Sequence, residues 1–308
     1  MSEIYWVSHS RLLRDVSVSG WLVNVGPLRV GSGKEAALGS PVDLAVIRIR
    51  IGDKSVPYIP GSSLKGVYRT VATQLARSKG LSVCSGLAHE TCMDWEIPQH
   101  GGVKLLKLVQ EQLENGEYLQ AVRYFYDYAC LMCKVFGAPS YTGNVVFEDA
   151  YPINEKGEVM EVRTGIRTGI AINRRTGSVH ERSLYQVEYV EPGARFRFKM
   201  RATNLPNYAL GLLAKAIRMM NDGWVKVGGF KTRGFGEVRL EGLEFFAWGP
   251  TVSGTKLLAV KHPEKEPDKE VDLTGVAEAR NGGIYASGEK AWKVLEKLEE
   301  VWDSAKFG

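Results

Sequence analysis

Val227-Gly-Gly-Phe-Lys-Thr-Arg-Gly-Phe-Gly-Glu-Val238 packs four glycines, Gly228, Gly229, Gly234 and Gly236, into nine residues. Glycine adopts positive φ without penalty and has no Cβ to hold a neighbour away. This backbone can therefore turn tightly and come close to a ligand. Lys231 and Arg233 stand among the glycines as phosphate partners, and Phe230 and Phe235 are side chains of the kind that stack on bases. A glycine-rich hairpin without a ligand is the competing reading, and glycine alone does not separate the two.

Apolar patterning on either side of this loop gives the fold. A core strand, Gly236 to Trp248, follows it, and a helix from Leu210 to Asn221, closed by Gly223, precedes it. Upstream, Ala194 to Thr203 alternates Phe196, Phe198 and Met200 with Arg195, Arg197, Lys199 and Arg201, the pattern of a strand with one basic face. Asn144 to Asp149 is a short strand. Leu64, Val67, Tyr68, Val71 and Leu75 recur at helical spacing, with Ser62 or Ser63 able to cap the start and Gly80 to close the end. Val16 to Val25 alternates as a half-buried strand, and Leu44 to Ile51 reads as another.

Without its insertions the order is strand, helix, strand, strand, helix, strand. That order predicts an α+β protein with a ferredoxin-like (RRM-like) core, the arrangement of RNA-recognition modules. The core is expected to comprise 16–80, 141–151 and 193–248, with a loop or lid insertion at 26–58. Residues 81–140 read as a helical insertion and 152–192 as a basic hairpin insertion. The remainder, 249–308, reads as a charged linker (261–272) followed by a helix from Glu289 to Trp302.

The net charge of +5 is unevenly spread. Between Val162 and Arg201 nine basic residues face three acidic ones, while Lys261 to Gly308 holds eight basic against eleven acidic. A concentrated positive stretch attracts polyanions, of which phosphate backbones are the commonest. A solvated basic face is the plainer alternative. No apolar run approaches the ~18 residues a membrane span needs. The N-terminal MSEIYWVSHSRLLRD lacks a basic-then-apolar leader, so the chain is expected in the cytoplasm and away from membranes.

His89-Glu-Thr-Cys92 and Cys130-Leu-Met-Cys133 are two pairs with the two-residue gap that zinc sites favour. Tyr118 to Lys134 reads as one helix, which sets Cys130 and Cys133 on a single face. The expected ligands of a structural zinc are His89, Cys92, Cys130 and Cys133, with Cys84 a fifth candidate for four places. Buried free thiols beside an exposed His89 are the alternative. Four side chains fill a tetrahedral site, so such a zinc would staple the insertion and not catalyse.

Four segments together resemble the RAMP superfamily of CRISPR-associated proteins, and most nearly the Csm-type backbone subunit of type III effector complexes. The loop Val227 to Val238 resembles the superfamily's glycine-rich signature. Ile59-Pro-Gly-Ser-Ser-Leu-Lys-Gly66 with Arg69 resembles the backbone subunits' IPGSSLKG…R motif. Leu28-Arg-Val-Gly-Ser-Gly33 resembles their L-H-I-G-G turn, with Arg29 in place of histidine, and Cys130-Leu-Met-Cys-Lys-Val-Phe-Gly137 resembles their C-x-x-C-x-x-F-G segment.

The resemblance implies copies of this chain, with other subunits of the complex, lying along a single-stranded CRISPR RNA and its target RNA. Arg29, Ser62, Ser63, Lys65, Arg69, Gly228, Gly229, Phe230, Lys231, Arg233 and Gly234 would grip the guide. Arg167, Arg174, Arg175 and Arg182 would come from a hairpin that wedges into the guide–target duplex. Asp43, in Gly39-Ser-Pro-Val-Asp-Leu-Ala-Val-Ile47, matches the loop aspartate through which such subunits cut target RNA, with a divalent metal such as magnesium. An aspartate that merely starts a strand after a turn is the competing account. Two other readings keep the superfamily: a non-catalytic RNA-binding scaffold subunit, and a stand-alone ribonuclease that processes CRISPR RNA.

Overall fold

The computed structural model describes residues 5–31, 42–170, 174–175, 177, 184–260 and 267–307. In chain order the principal elements begin with β1 (Asp15–Asn24), the hairpin β2 (Arg48–Ile51) and β3 (Lys54–Pro57), and α1 (Gly61–Ser78). Next come α2 (Leu105–Glu114), α3 (Tyr118–Tyr128) and α4 (Leu131–Phe136), then β4 (Val145–Phe147) and the pair β5 (Thr164–Gly169) and β6 (Tyr185–Val190). The chain continues through β7 (Arg195–Thr203), α5 (Asn207–Asn221), β8 (Val238–Trp248), β9 (Glu278–Arg280), β10 (Gly283–Ser287) and α6 (Glu289–Ser304).

This is an α+β protein built on a six-stranded antiparallel sheet ordered β9-β10-β8-β1-β7-β4. Alternation in the sequence explains which side of the sheet is covered. Phe196, Phe198, Met200 and Ala202 of β7, with Val16, Val18 and Leu22 of β1, are buried beneath the apolar faces of α1, α5 and α6. A register shift between Ser19 and Trp21 sets two residues of β8, Gly242 and Leu243, against one of β1, which keeps both Leu240 and Leu243 on the inner face despite their odd spacing.

The opposite face carries the basic residues of β7, and neighbouring strands neutralise most of them. Arg201 pairs with Asp15 at 3.0 Å, Lys199 with Glu148 at 2.9 Å and Arg195 with Glu241 at 3.2 Å. Arg195 and Arg197 also lie over the Trp21 ring, at 5.1 and 5.8 Å. The strand's basic face is thus mainly a set of cross-strand pairs.

The C-terminal residues close the fold. β10 extends the sheet beside β8, and α6 packs along α5. Arg14, fully buried, donates to the Leu205 and Leu258 carbonyls and lies 4.0 Å from Asp268, whose carboxylate accepts the Tyr208 and Val260 N–H groups.

Two local expectations change. The single helix expected over 118–134 breaks at Ala129 and Cys130, both extended, so Cys130 starts α4 instead of lying inside a longer helix. No proline or glycine marks the break. The strand expected over 44–51 shortens to Arg48–Ile51. Leu44 makes a single bridge to Val187 of β6 and Val46 one to Gly31 in the turn after β1.

Candidate nucleic-acid interface and metal centre

The glycine loop is fastened to the turn that follows β1. Gly229 N–H donates to the Arg29 carbonyl at 2.9 Å, Gly236 N–H to the Pro27 carbonyl at 2.8 Å and Val227 N–H to the Gly236 carbonyl at 2.8 Å. Gly228, at φ +81°, stands so close to Arg29 that a Cβ there would lie 2.2 Å from its carbonyl oxygen. Only glycine permits this approach. Beside it opens a cleft of about 770 Å³, lined by Arg29 and Gly31 from the turn, by Ser63, Gly66, Val67 and Thr70 from α1, and by Gly228, Gly229 and Lys231 from the loop. The glycine loop and the start of α1, far apart in sequence, thus form two walls of one groove.

The spacing 63, 66, 67, 70 is one helical stripe. Ser62, Lys65 and Arg69 fall on the adjoining stripe. Neither Ser62 nor Ser63 caps α1 with its side chain. Gly61 N–H is taken by Asp149 Oδ1 at 2.7 Å, so one of the helix's free N–H groups is already occupied and a carboxylate sits at its N-terminus. Lys65 is drawn below its ordinary value by burial and by the like charge of Arg69 one turn on.

Arg69, expected at the RNA, points elsewhere. Its guanidinium donates to the Gly137 carbonyl at 2.9 Å and reaches Cys133 Sγ at 3.6 Å.

Phe230, at φ +56°, lies between two guanidiniums, Arg29 at 5.6 Å and Arg233 at 5.3 Å from its ring. Arg233 donates to the Tyr185 hydroxyl at 2.6 Å, and the Tyr185 ring stacks 6.4 Å from Phe230. Phe235 is 2% exposed, edge-on to Tyr189 and beneath Arg167, 5.0 Å away. The expectation that Phe235 stacks on bases fails: its ring is core packing between the loop and β6.

Tyr185 and Tyr189 were missed from sequence, where they stood in a segment without evident periodicity. Their two-by-two alternation with Val187 was the available signal. Arg174 and Arg175, between β5 and β6, are exposed; Arg182 lies outside the described residues, as do Gly33 and Gly39.

Asp43 is exposed, and its Oδ2 accepts the Gln186 N–H at 2.7 Å. Leu44 exchanges backbone bonds with Gln186 and Glu188, and Glu188 takes the Val46 N–H at 3.0 Å while pairing with Arg48. Asp43 is therefore held at the junction of the 42–46 segment and β6.

The sulfurs of Cys84, Cys92, Cys130 and Cys133 all lie within 4.8 Å of one another and are buried. This corrects the expected ligand set. His89 is exposed and left-handed at φ +63°, and Cys84 takes its place. The turn at 87–89 carries the His89 side chain away from α4, whereas the extended chain at Cys84 runs against it. Hydrogen bonds from Cys130 and Cys133 push the Cys84 thiol down, and the bond from Cys133 lowers Cys130 to about 6. Cys92 and Cys133 are pushed up, most of all by their hydrogen bonds to Cys130.

The chain belongs to the RAMP superfamily, whose family model matches residues 21–239 and so takes in the glycine loop, the start of α1 and all four clustered cysteines. Within it, the chain is similar to the CRISPR system Cms endoribonuclease Csm3 of Mycobacterium tuberculosis, 24% identical over 269 residues that cover 80% of this chain and 95% of that protein. Among the described residues no helix is long and apolar enough to cross a membrane.

Proposed function

We propose that this chain is a backbone subunit of a type III CRISPR ribonucleoprotein in the cytoplasm. It binds single-stranded guide RNA largely independently of base sequence and assembles with further copies and with other subunits. The observation that carries the reading is the convergence of Gly228, Gly229 and Lys231 with Arg29 and the Ser63–Thr70 stripe of α1 on one groove. Backbone glycines give close approach, and Arg29, Lys231 and Arg233 supply charge for phosphates. The strand order β8-β1-β7-β4, with α1 and α5 as the connecting helices, supports a ferredoxin-like core. The paired charges on its open face favour the groove over the sheet as the RNA path. The β5–β6 hairpin, with Arg167, Arg174 and Arg175, is our candidate for contact with the guide–target duplex.

For target cleavage we assign Asp43. The reaction is attack of a ribose 2′-OH on the adjacent phosphate, giving a 2′,3′-cyclic phosphate and a 5′-hydroxyl. The Gln186 N–H fixes the carboxylate so that it can orient the hydroxyl and accept its proton. Among the described residues no other carboxylate, histidine or cysteine groups with Asp43 into a set of three ligands. A magnesium ion there would be held by this one carboxylate, with substrate phosphate and water completing its shell.

The same Gln186 bond suits a second reading, a non-catalytic scaffold in which Asp43 only anchors its loop. Reconstituted complex with Asp43→Ala separates them. The catalytic reading expects guide binding near wild type with target cutting lost. Unchanged cutting would remove Asp43 from the chemistry.

At the cysteine cluster the metal that fits is zinc. Tetrahedral Zn–S bonds of about 2.3 Å set sulfurs about 3.8 Å apart, and Cys84 Sγ lies 3.6 Å from Cys130 Sγ and 3.3 Å from Cys133 Sγ. A closed four-thiolate set makes the zinc structural.

A further inference from the structure

Arg69 is a charged group of α1 that does not line the RNA groove. Its Nη1 donates to the Gly137 carbonyl, just past Cys133, and its Nη2 reaches Cys133 Sγ. Its Nε is buried and has no hydrogen-bond partner. On the other side the chain between Cys84 and Cys92 wraps the guanidinium so closely that a Cβ at Gly86 would lie 2.5 Å from it. Arg69 thus touches both halves of the cysteine cluster, the Cys84–Cys92 segment and the Cys130–Gly137 segment.

Four thiolates around a divalent ion leave a net charge of −2 in a buried place, which is costly unless opposed. Resting on the metal reading above, we infer that Arg69 is the counter-cation and N–H donor of the tetrathiolate centre. It is a positioning residue that joins the centre to α1. Its neighbours Gly66, Val67 and Thr70 line the groove, so the metal centre holds the α1 wall of the RNA site in place. The cluster then does more than staple the helical insertion.

The test uses the full-length chain purified with zinc, and the variants Arg69→Met and Arg69→Lys. Zinc release to a chromogenic chelator is timed, and the sulfur-to-metal charge-transfer band is recorded after cobalt substitution. Removing an outer partner of a metal ligand weakens the site roughly 10–100-fold. We expect Arg69→Met to release zinc at least tenfold faster with a shifted cobalt band. Arg69→Lys, which keeps the cation, should recover most of the loss. In excess zinc, the salt dependence of RNA binding by Arg69→Met should match wild type.

Wild-type release rates in Arg69→Met would overturn the inference. So would full zinc retention together with a salt slope shallower by about 0.7, the signature of one lost phosphate contact. Wild-type protein without zinc would bring down the metal reading itself, and this inference with it.

Discussion

Gly228→Ala is the sharpest probe of the groove. At φ +81° an alanine pays about 1–2 kcal/mol for left-handed backbone. Its Cβ would also lie 2.2 Å from the Arg29 carbonyl oxygen, whereas non-bonded contact begins at about 3.5 Å, so one wall must retreat by more than ~1 Å. That movement stretches the Gly229 N–H bond to the same oxygen, now 2.9 Å, beyond hydrogen-bonding reach, for about 1 kcal/mol more. The sum is about 2–3 kcal/mol of stability, read as a shift in the urea unfolding midpoint at constant slope. Since Arg29 and Lys231 sit on the displaced walls, binding of a single-stranded RNA of arbitrary sequence should also weaken by about tenfold, equivalent to ~1.4 kcal/mol. Gly234→Ala is the control: φ is +85°, but a Cβ there meets nothing within 4 Å, so only the conformational penalty applies and the groove stays intact. If the two variants prove equally stable and equally tight for RNA, the close approach of loop and turn is not what shapes the site.

Lys231→Ala should weaken RNA binding uniformly across sequences and make the log–log salt slope shallower by about 0.7; an unchanged slope would take Lys231 off the phosphate path. His89→Ala should keep full zinc content while Cys84→Ser loses metal, and elemental analysis showing the reverse would restore the histidine ligand. Burial works to raise Glu188, but the Val46 N–H and Arg48 outweigh it and hold the carboxyl below its ordinary value. Its contribution is then full above the unfolded-state glutamate value and lost as pH falls through the lower folded one. The Val46 amide resonance should therefore titrate with a midpoint below that of an exposed glutamate, and a midpoint at or above it would contradict the contact. Asp268→Ala leaves Arg14 buried without its carboxylate, for an expected loss of about 3–5 kcal/mol in denaturant unfolding; a loss under ~1 kcal/mol would mean that the tail is not locked through this pair.

Local chemistry made the main features legible. Alternation in 194–203 and helical spacing in 64–75 are consequences of which face meets the core, so they announce β7 and α1 directly. Four glycines in nine residues announce positive φ and close approach; Gly228, Gly234 and Gly236 have the first, and Gly228 and Gly236 the second as well. Helical phase is equally local: with 63, 66, 67 and 70 on the groove, Arg69 falls on the adjoining stripe.

Which partner each long side chain finds is decided by segments distant in sequence. Cys84 replaces His89 because the chain path between Cys84 and Cys92 turns the histidine outward and brings the Cys84 sulfur to within 3.3 Å of Cys133, which the two-residue spacing does not encode. The basic face of β7 is neutralised by Asp15, Glu148 and Glu241 only because strand register sets them alongside it. Phe235 and Phe230 share one loop, yet β6 buries the first and leaves the second half-covered between two arginines. By itself, then, the sequence determined the tight turns of the glycine loop and the inward or outward phase of β1, β7, β8, α1 and α5, because those follow from near neighbours. The tertiary structure alone decided charge partners, the membership of the cysteine cluster and the walls of the groove, because those depend on distances between residues that only folding brings together.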